Sequence, residues 1–205
     1  TNMTYYNNLY VKNQGEALSD LKNPYKRSTH QTDYYGIMYM DNGLYQTPEQ
    51  VLGVPRRLQS SATKLGDIAY EDINGDGKID GEDQIRWGMP SAPHFTYGFD
   101  FVLGYKGFTL SGLLYGTGKR NMEFGVTTKK NEAIWVLNDY QLDYWREDNR
   151  DATFPRISLE ALPNGSNNQA ASTFWVKNAS FLRLKNLTLE YDFKYKLLRN
   201  VKWLS

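Results

Sequence analysis

The feature that most limits how this chain can fold is an unbroken alternation of side chains from His94 to Tyr105. Small or polar residues, with Val102 among them, occupy the even positions. Successive side chains of a strand point to opposite faces, so the pattern predicts a strand with one face in an apolar medium. The apolar, odd-numbered residues are Phe95, Tyr97, Phe99, Phe101, Leu103 and Tyr105.

A second alternating segment follows after only two residues, Lys106 and Gly107. It runs from Phe108 to Gly116, and the short Lys-Gly connection predicts a β-hairpin. One interpretation is the hairpin of a soluble β-sandwich, with one face on a core. The pairing of an almost wholly aromatic face with a face of small residues favours a transmembrane β-barrel, whose strands are about 10 residues long.

The stretch from Phe174 to Phe193 is also predicted to be strand, with a change of phase inside it. Leu182 and Leu184 are even-numbered, whereas Leu187 and Leu189 are odd-numbered. A shift of one residue moves side chains to the other face, so the slip near Lys185 and Asn186 predicts a β-bulge or a change of environment. Arg183 and Lys185 are interpreted as charges facing the barrel interior, paired with acids such as Asp100 or Glu190. A role in transport is not separable from that pairing.

Composition excludes several classes of protein. Lys+Arg is 24 against Asp+Glu 23, a balance that argues against a nucleic-acid partner, which requires a basic face. The chain has no cysteine and two histidines, which excludes disulfides, thiolate metal sites and thiol catalysis. No apolar run approaches the roughly 20 residues of a spanning helix, and no N-terminal leader is visible. We find no catalytic constellation and expect no enzymatic activity.

The remaining segments are predicted to be mostly loop. Thr47 to Gln50 fits a capping box with Pro48 at the first helical position, which predicts a short helix ending near Gly53. A second helix is predicted within 131–148 from apolar residues at helical spacing. The stretch 151–173, rich in turn residues, is predicted to be exposed loop, and loops of this length are usually functional.

The sharpest chemical motif is acidic. Six carboxylates fall between Glu71 and Asp83. Four of them, with Asn74 at position 3, stand at positions 1, 5, 9 and 12 of a calcium loop, and Gly77 is at the turn position. Position 12 is an aspartate where glutamate is usual, and the flanks do not look like paired helices. We therefore predict a structural calcium loop on a β scaffold, a solvated acidic turn being the alternative. The predicted ligands are Asp72, Asn74, Asp76, the carbonyl of Lys78, Asp80 and Asp83.

Aromatic residues of the predicted loops are candidates for contacts with a substrate or a partner protein. Stacking on sugar rings is one interpretation of them, and core packing of the loops is the more conservative one. The residues concerned are Tyr140, Tyr144, Trp145 and Trp175.

Several phrases of the sequence, in order along nearly the whole chain, resemble the C-terminal third of SusC/RagA-family TonB-dependent transporters. The phrase from Ala179 to Tyr191 is similar to the family's most recognisable strand, with Glu190 where glycine is usual. The other phrases are Tyr34–Gly36, Leu44–Thr47, Gly66–Ile68, Asp72–Asp80, Gly88–Pro90, Phe95–Phe99, Tyr105–Phe108, Tyr144–Asn149 and Ala152–Arg156.

The resemblance implies an outer-membrane β-barrel of about 22 strands with a plug in its lumen. It further implies import of oligosaccharides or peptides, with a SusD-like surface lipoprotein as lid and TonB acting on the plug. On that basis residues 1–205 are expected to be a C-terminal part of the barrel domain, without signal peptide, TonB box, plug or final strands. The expected parts are an acidic calcium-type loop (66–90), a transmembrane hairpin (94–124), a long extracellular loop (125–173) and a barrel strand (174–193).

The expected fold class is therefore all-β, part of a large antiparallel transmembrane barrel in the outer membrane of a Gram-negative cell. The alternative is a soluble, calcium-stabilised β-sandwich, either a carbohydrate-binding module or a secreted glycan-active protein. The two differ in what meets the face of Phe95, Tyr97, Phe99 and Phe101. A soluble domain covers it with a second sheet, whereas a barrel leaves it to lipid.

Overall fold

The computed structural model describes residues 1–53, 56–57, 63–124, 139–157 and 167–193. The chain there is all-β, with few and short helices. The strands are β1 (Asn2–Tyr5), β2 (Leu9–Tyr10), β3 (Gln31–Thr32), β4 (Gly36–Met38), β5 (Asp41–Leu44), β6 (Arg56–Arg57), β7 (Ile68–Tyr70), β8 (Lys78–Ile79), β9 (Ile85–Trp87), β10 (Phe95–Tyr105), β11 (Phe108–Gly118), β12 (Asn121–Glu123), β13 (Val176–Asn178) and β14 (Phe181–Tyr191).

Three strands of 11 residues dominate the molecule. Strands β10, β11 and β14 pair antiparallel, and β1 adds to the free edge of β10, which gives the sheet order β1-β10-β11-β14. The alternating segment from Phe95 to Tyr105 is thus a strand over its whole length. We refer to this unit as the four-stranded sheet.

The hairpin between β10 and β11 turns at the two residues predicted from the sequence. Lys106 has φ 47° and Gly107 has φ 87°, so both central residues are left-handed. This geometry matches the right-handed twist of the flanking strands, and it places Tyr105 opposite Phe108. The backbone N–H of Asp192 donates to the carbonyl of Gly107 at 2.8 Å, which ties the turn to the end of β14.

The other strands are short and pair two by two, in the segments before and after the hairpin. The antiparallel pairs are β2–β3, β4–β9, β5–β7 and β12–β13, and the parallel pair is β6–β8. The described core lies among them, and we call this unit the loop assembly. Its buried cluster consists of Tyr39, Ile68, Tyr70, Ile79 and Trp175.

Helical structure is limited to single turns in the ranges that the structure describes. Helix α1 spans Leu18–Lys22 and α2 spans Pro48–Leu52, while 3-10 turns occupy Gly81–Asp83, Asp139–Leu142 and Asn167–Gln169. The predicted capping box is present: the Thr47 side chain accepts from the Gln50 N–H, and the Gln50 side chain accepts from the Thr47 N–H. Among the residues described, no helix has the length and apolar character needed to cross a membrane.

The helix predicted within 131–148 is wrong in its described part, while residues 131–138 lie outside the described residues. Beyond the 3-10 turn the chain forms isolated bridges instead, between Tyr144 and Phe154 and between Arg146 and Asn149. The carboxylate of Asp143 accepts from the Thr153 N–H and from the Asn149 side chain. Because these contacts reach along the chain, they favour a compact loop over a continued helix.

Candidate functional site

One face of the four-stranded sheet is apolar throughout. The register puts the odd-numbered residues of β10 on the same side as the even-numbered residues of β11, with Met3 and Tyr5 of β1 beside them. Tyr105 is 68% exposed and Leu189 is 67% exposed, and the described residues place no second sheet against them. We call this surface the apolar face. Within the described residues, nothing supplies the cover that a soluble sandwich requires.

Two glycines of β11 leave the space in which aromatic rings of β10 pack on this face. A Cβ on Gly116 would lie 2.5 Å from Cε2 of Tyr97, and a Cβ on Gly112 would lie 2.5 Å from Cζ of Phe101. Each ring therefore occupies the space above a position of the neighbouring strand that only glycine can fill. This pairing of cross-strand residues was not recognised from the sequence, although the two glycines are four apart and stand on the apolar side of their strand.

The predicted β-bulge is present in β14. Leu113 pairs with Asn186 while Leu114 pairs with Leu184, so the register shifts there and Lys185 is the extra residue. The shift keeps Leu182 and Leu184 on the apolar face together with the odd-numbered leucines that follow. A β-bulge thus reconciles the two phases of the sequence with one continuous apolar surface.

The opposite face of the same sheet is polar, and we call it the polar face. It carries Thr96 and Asp100 from β10, Tyr115 from β11, and Arg183 and Glu190 from β14 among its members. Arg183 lies opposite Tyr115, whereas Glu190 lies opposite Thr109 near the turn. The predicted pairing of Arg183 or Lys185 with Asp100 or Glu190 does not occur among the described ion pairs.

The loop assembly is organised around a buried carboxylate, that of Asp67. Its Oδ1 accepts from Nε of Arg156 at 2.7 Å and from Nδ2 of Asn168 at 3.0 Å, and its Oδ2 accepts from the Lys64 N–H at 2.9 Å. Asn168 in turn accepts from the Ile68 N–H at 2.9 Å. Three segments far apart in the sequence therefore meet at one charge. This role of Asp67 was not predicted from the sequence, although the residue stands in a phrase that carries the family resemblance.

The two predicted tryptophan contacts are buried in this structure. Trp145 is 7% exposed, and its Nε1 donates to Oε1 of Gln46 at 3.0 Å. Trp175 is 5% exposed, and its Nε1 donates to the carbonyl of Asn168 at 2.8 Å. These positions favour the core-packing interpretation of both residues. Tyr144 is half-buried with the Arg146 guanidinium over its ring, and the side chain of Tyr140 lies outside the described residues.

The acidic loop is held by its own backbone. Oδ1 of Asp72 accepts from the Gly75 N–H at 2.7 Å and Oδ2 accepts from the Gly77 N–H at 2.8 Å. Asn74 accepts from Asp76, and Asp76 accepts from Lys78, at 2.9 and 2.8 Å. Gly77 has φ 79°, as the sharp turn requires. The loop is therefore wound with its oxygen-bearing side chains close to its own axis.

The last two predicted ligands are used differently. Asp83 is 0% exposed; its Oδ1 accepts from the Ile73 N–H and its Oδ2 from the Asp80 N–H, at 2.9 and 2.7 Å. Asp80 caps the following 3-10 turn by accepting from the Glu82 N–H at 2.8 Å. Burial raises the pKa of the neighbouring Tyr39 to about 12, with the charge of Asp83 as a further cause. Because Asp83 is buried and accepts from backbone N–H groups of Ile73 and Asp80, it anchors the loop to the core.

Oxygen donors of this kind suit a hard cation such as Ca²⁺. Four of the proposed ligands fit that requirement in chemistry: Asp72, Asn74, Asp76 and the Lys78 carbonyl. Asp83 differs in position, because its side chain is fully buried against the core. Within the described residues, no group of three or more His, Cys, Asp or Glu side chains is arranged to hold a metal ion.

Comparison with known proteins gives one curated relative and several similar structures. The chain is 28% identical over 131 residues to TonB-dependent receptor P26 of Formosa agariphila, covering 62% of this chain and 13% of that receptor. No family model matches the sequence. The chain thus spans a small part of the length of its curated relative.

Solved structures of RagAB are also similar. The RagAB peptide transporter matches with a TM-score of 0.46 and 20% identity, covering 78% of this chain and 17% of that chain. The RagAB peptide importer in its open-open state matches with a TM-score of 0.47 and 20% identity, covering 83% and 17%.

The described fold is an all-β segment whose sheet has one apolar and one polar face. The likeness to a TonB-dependent receptor agrees with the resemblance to SusC/RagA-family transporters that the sequence phrases carry.

Proposed function

We propose that this chain forms part of the barrel wall of an active importer in the outer membrane. The observation that carries the proposal is the two-faced four-stranded sheet, with leucine and aromatic side chains exposed on one side and polar groups on the other. Strands that alternate in this way separate lipid from a polar lumen. The β1 and β14 edges continue into neighbouring strands, because an open edge in a membrane leaves backbone groups without partners.

The solute is proposed to be an oligosaccharide, with peptides as the alternative. The proposed partners are a SusD-like lipoprotein over the outer mouth and TonB at the inner side. Outer-membrane lipid is the proposed contact of the apolar face. The loop assembly then lies on the outer side of the membrane, since long loops emerge there in barrels of this class and turns such as Lys106–Gly107 lie on the inner side. This segment supplies wall and loop, and no chemistry of its own.

Calcium is proposed as a structural ion of the acidic loop. The support is the alternating Asp72, Asn74 and Asp76 oxygens on a tight turn, together with the carbonyl of Lys78. Asp80 and Asp83 remain in the proposed ligand set, and Asp83 is its buried member. A bound cation reduces the mutual repulsion of these carboxylates.

Two adjacent residues test the membrane proposal directly. Leu103 and Val102 are 62% and 70% exposed and point to opposite faces of β10, and the chain has no cysteine of its own. Single cysteines at these positions in the full-length transporter are labelled with a fluorophore in vesicles containing a brominated-lipid quencher. We expect strong quenching at position 103 and little at position 102. Equal quenching, or extraction of the transporter into buffer without detergent, contradicts the proposal.

The import proposal has its own measurement. Uptake of labelled oligosaccharides and of labelled peptides is compared in cells with and without the transporter, and in cells without TonB. We expect uptake of one of the two classes to require both proteins. Uptake that persists without TonB excludes an active TonB-dependent importer.

A further inference from the structure

His94 connects the four-stranded sheet to the loop assembly. It directly precedes β10, its N–H donates to the carbonyl of Lys119 at 3.4 Å, and its carbonyl accepts from the Tyr6 N–H at 2.8 Å. The ring of Tyr6 meets the imidazole edge-on, with 5.9 Å between the ring centroids. His94 is 4% exposed, so residues of this chain by themselves enclose the imidazole.

One nitrogen of this buried ring has no hydrogen-bond partner among the described residues. The nitrogen is Nε2, and Oδ2 of Asp33 lies 3.8 Å from it. That distance is too long for a hydrogen bond, but it is close enough for an ion pair when the imidazole carries a proton. The two side chains are 5% and 14% exposed, so little water lies between them and the solvent-free interior.

Asp33 is held in place from the other side by Asn8. The Asp33 N–H donates to the Asn8 carbonyl at 3.3 Å, and Oδ1 of Asp33 accepts from the Asn8 N–H at 3.2 Å. The side-chain amide of Asn8 donates to the hydroxyl of Tyr6, whose N–H reaches His94. These four residues therefore form a closed series of contacts, and we call it the His94 junction.

The protonation state of His94 decides how the junction is closed. Histidine is the side chain that changes its charge between about pH 5 and 8. The protonated imidazole attracts the Asp33 carboxylate, more strongly than a surface pair would because water screens it less. The neutral imidazole leaves a buried nitrogen without a hydrogen bond, which costs free energy.

The described contacts place one charged side chain against His94, that of Asp33. The other ionisable groups of the elements packed on it are directed elsewhere. The hydroxyl of Tyr6 is hydrogen-bonded to a neighbouring amide, and Nζ of Lys119 lies over the ring of Tyr5, 5.4 Å from its centroid. The electrostatic balance at the imidazole is thus between the Asp33 carboxylate, which favours the charged form, and burial, which opposes it.

We propose that the His94–Asp33 pair makes the junction sensitive to pH: a proton on Nε2 of His94 strengthens the attachment of the loop assembly to the four-stranded sheet. The proton comes from solvent, and no covalent bond is formed or broken. Because the charged form has the better contact, the stabilisation is greatest in mild acid and is lost as the pH rises. The inference goes beyond the import proposal, since it concerns this attachment and not the solute.

The test is amide hydrogen exchange of the full-length transporter in detergent between pH 8 and pH 5.5, corrected for the intrinsic rate. Peptides covering 5–9 and 32–35 report the N–H groups of Tyr6, Asn8 and Asp33. We expect protection there to be at least about fivefold greater at pH 5.5 than at pH 8. This range stays above the one in which Glu16 titrates.

Two variants assign the effect to the pair. His94→Gln, which removes the titrating group, should give a flat profile. Asp33→Asn retains an oxygen for the Asn8 N–H and removes the counter-charge, so protection should be flat or should fall toward pH 5.5. His30→Gln is the matched control, because His30 is exposed and the chain has two histidines.

Heat-modifiable migration on gels establishes that each variant is folded, and either of the two variants is sufficient for the assignment. The proposal is overturned if wild-type protection is flat or falls in acid, or if His94→Gln or Asp33→Asn keeps the wild-type profile. It is equally overturned if His30→Gln removes the pH dependence. None of these results alters the lipid quenching expected at positions 102 and 103, so the two proposals fail separately.

Discussion

The indole of Trp145 fills the space that a side chain at Gly66 would need. A Cβ built on Gly66 lies 2.5 Å from Cδ2 of Trp145, and the backbone there is left-handed, with φ 78°. The N–H of Arg156 also donates to the Gly66 carbonyl at 2.9 Å. Residues from two distant segments thus close around one glycine at the centre of the loop assembly.

Gly66→Ala is expected to destabilise the loop assembly by about 2–5 kcal/mol. Left-handed backbone costs an L-residue about 1–2 kcal/mol, and overpacking adds about 1–3 kcal/mol. Gly43→Ala is the control, since Gly43 has φ 75° but nothing within 4 Å of its Cβ. Hydrogen exchange of the full-length transporter, read on peptides covering 63–70 and 143–156, measures the difference. Equal effects of the two variants would show that the contact with Trp145 contributes nothing.

Asp67→Asn is expected to cost about 3 kcal/mol, since it leaves the half-buried guanidinium of Arg156 without its counter-charge. The side chains of Asp67 and Arg156 are 4% and 19% exposed. Asp148→Asn is the comparison, because its ion pair with Arg146 is exposed, at 78% and 49%. Exposed pairs contribute about 0–1 kcal/mol. The same exchange measurement on residues 64–70 and 152–157 checks both, and comparable losses would remove the central role of Asp67.

Gly116→Val is expected to impair folding of the barrel wall, because Tyr97 occupies the space above Gly116. Displacing the ring forces it off its rotamer and separates β10 from β11. Such overpacking lowers the free energy of unfolding by about 1–3 kcal/mol. Gly104→Val serves as control, since nothing lies within 4 Å of a Cβ there. The folded fraction, measured by heat-modifiable migration against urea concentration, should fall for position 116 only. A similar fall in the folded fraction for Gly104→Val contradicts the proposed packing of Tyr97 over Gly116.

Glu16 is expected to make the segment around residues 13–33 sensitive to acid. The hydroxyl of Thr29, with the backbone N–H groups of Ser28 and Thr29, lowers the pKa of Glu16 from 4.5 to about 2. Because the folded-state pKa is lowered, the stabilisation is complete above about pH 4.5 and is lost as the pH falls toward 2.

Amide exchange at Ser28 and Thr29, followed from pH 6 to pH 2.5 with correction for the intrinsic rate, measures this loss of protection. Glu16→Gln should lower protection already at pH 6 and flatten its pH dependence. Glu71→Gln, which replaces an exposed carboxylate elsewhere, should leave the profile as it is. A wild-type profile that is flat over this range is incompatible with the expectation.

Asp76→Ala is expected to abolish terbium luminescence sensitised at the acidic loop, because Asp76 supplies a proposed ligand oxygen near the turn. Glu82→Gln is the control. Glu82 lies in the same acidic stretch, but its carboxylate pairs with Nζ of Lys26 at 3.2 Å and is not among the proposed ligands. Luminescence that survives Asp76→Ala removes the calcium assignment. Loss of luminescence in both variants indicates general charge attraction and not a defined site.

Local patterns in the sequence were enough for the long strands. Alternation over Phe95–Tyr105, the Lys106–Gly107 turn and the phase slip at Lys185 all express the two-residue period of a strand, which neighbouring residues set by themselves. The short helix at Pro48 was predictable for a similar reason, since a capping box lies within four residues. The helix expected within 131–148 failed in its described part because contacts with Thr153 and Phe154 outweigh helical spacing.

The candidate site depended on contacts that no local pattern encodes. Register and packing produce three such contacts. Tyr97 packs over Gly116, Asp67 pairs with Arg156, which is 89 residues away in the sequence, and Asp83 is buried. The sequence by itself determined which segments are strands and which of their faces is apolar, because side-chain alternation is a property of consecutive residues. Tertiary structure decided which charges are buried, which are paired and which remain available, because those depend on distances between segments that only the folded chain brings together.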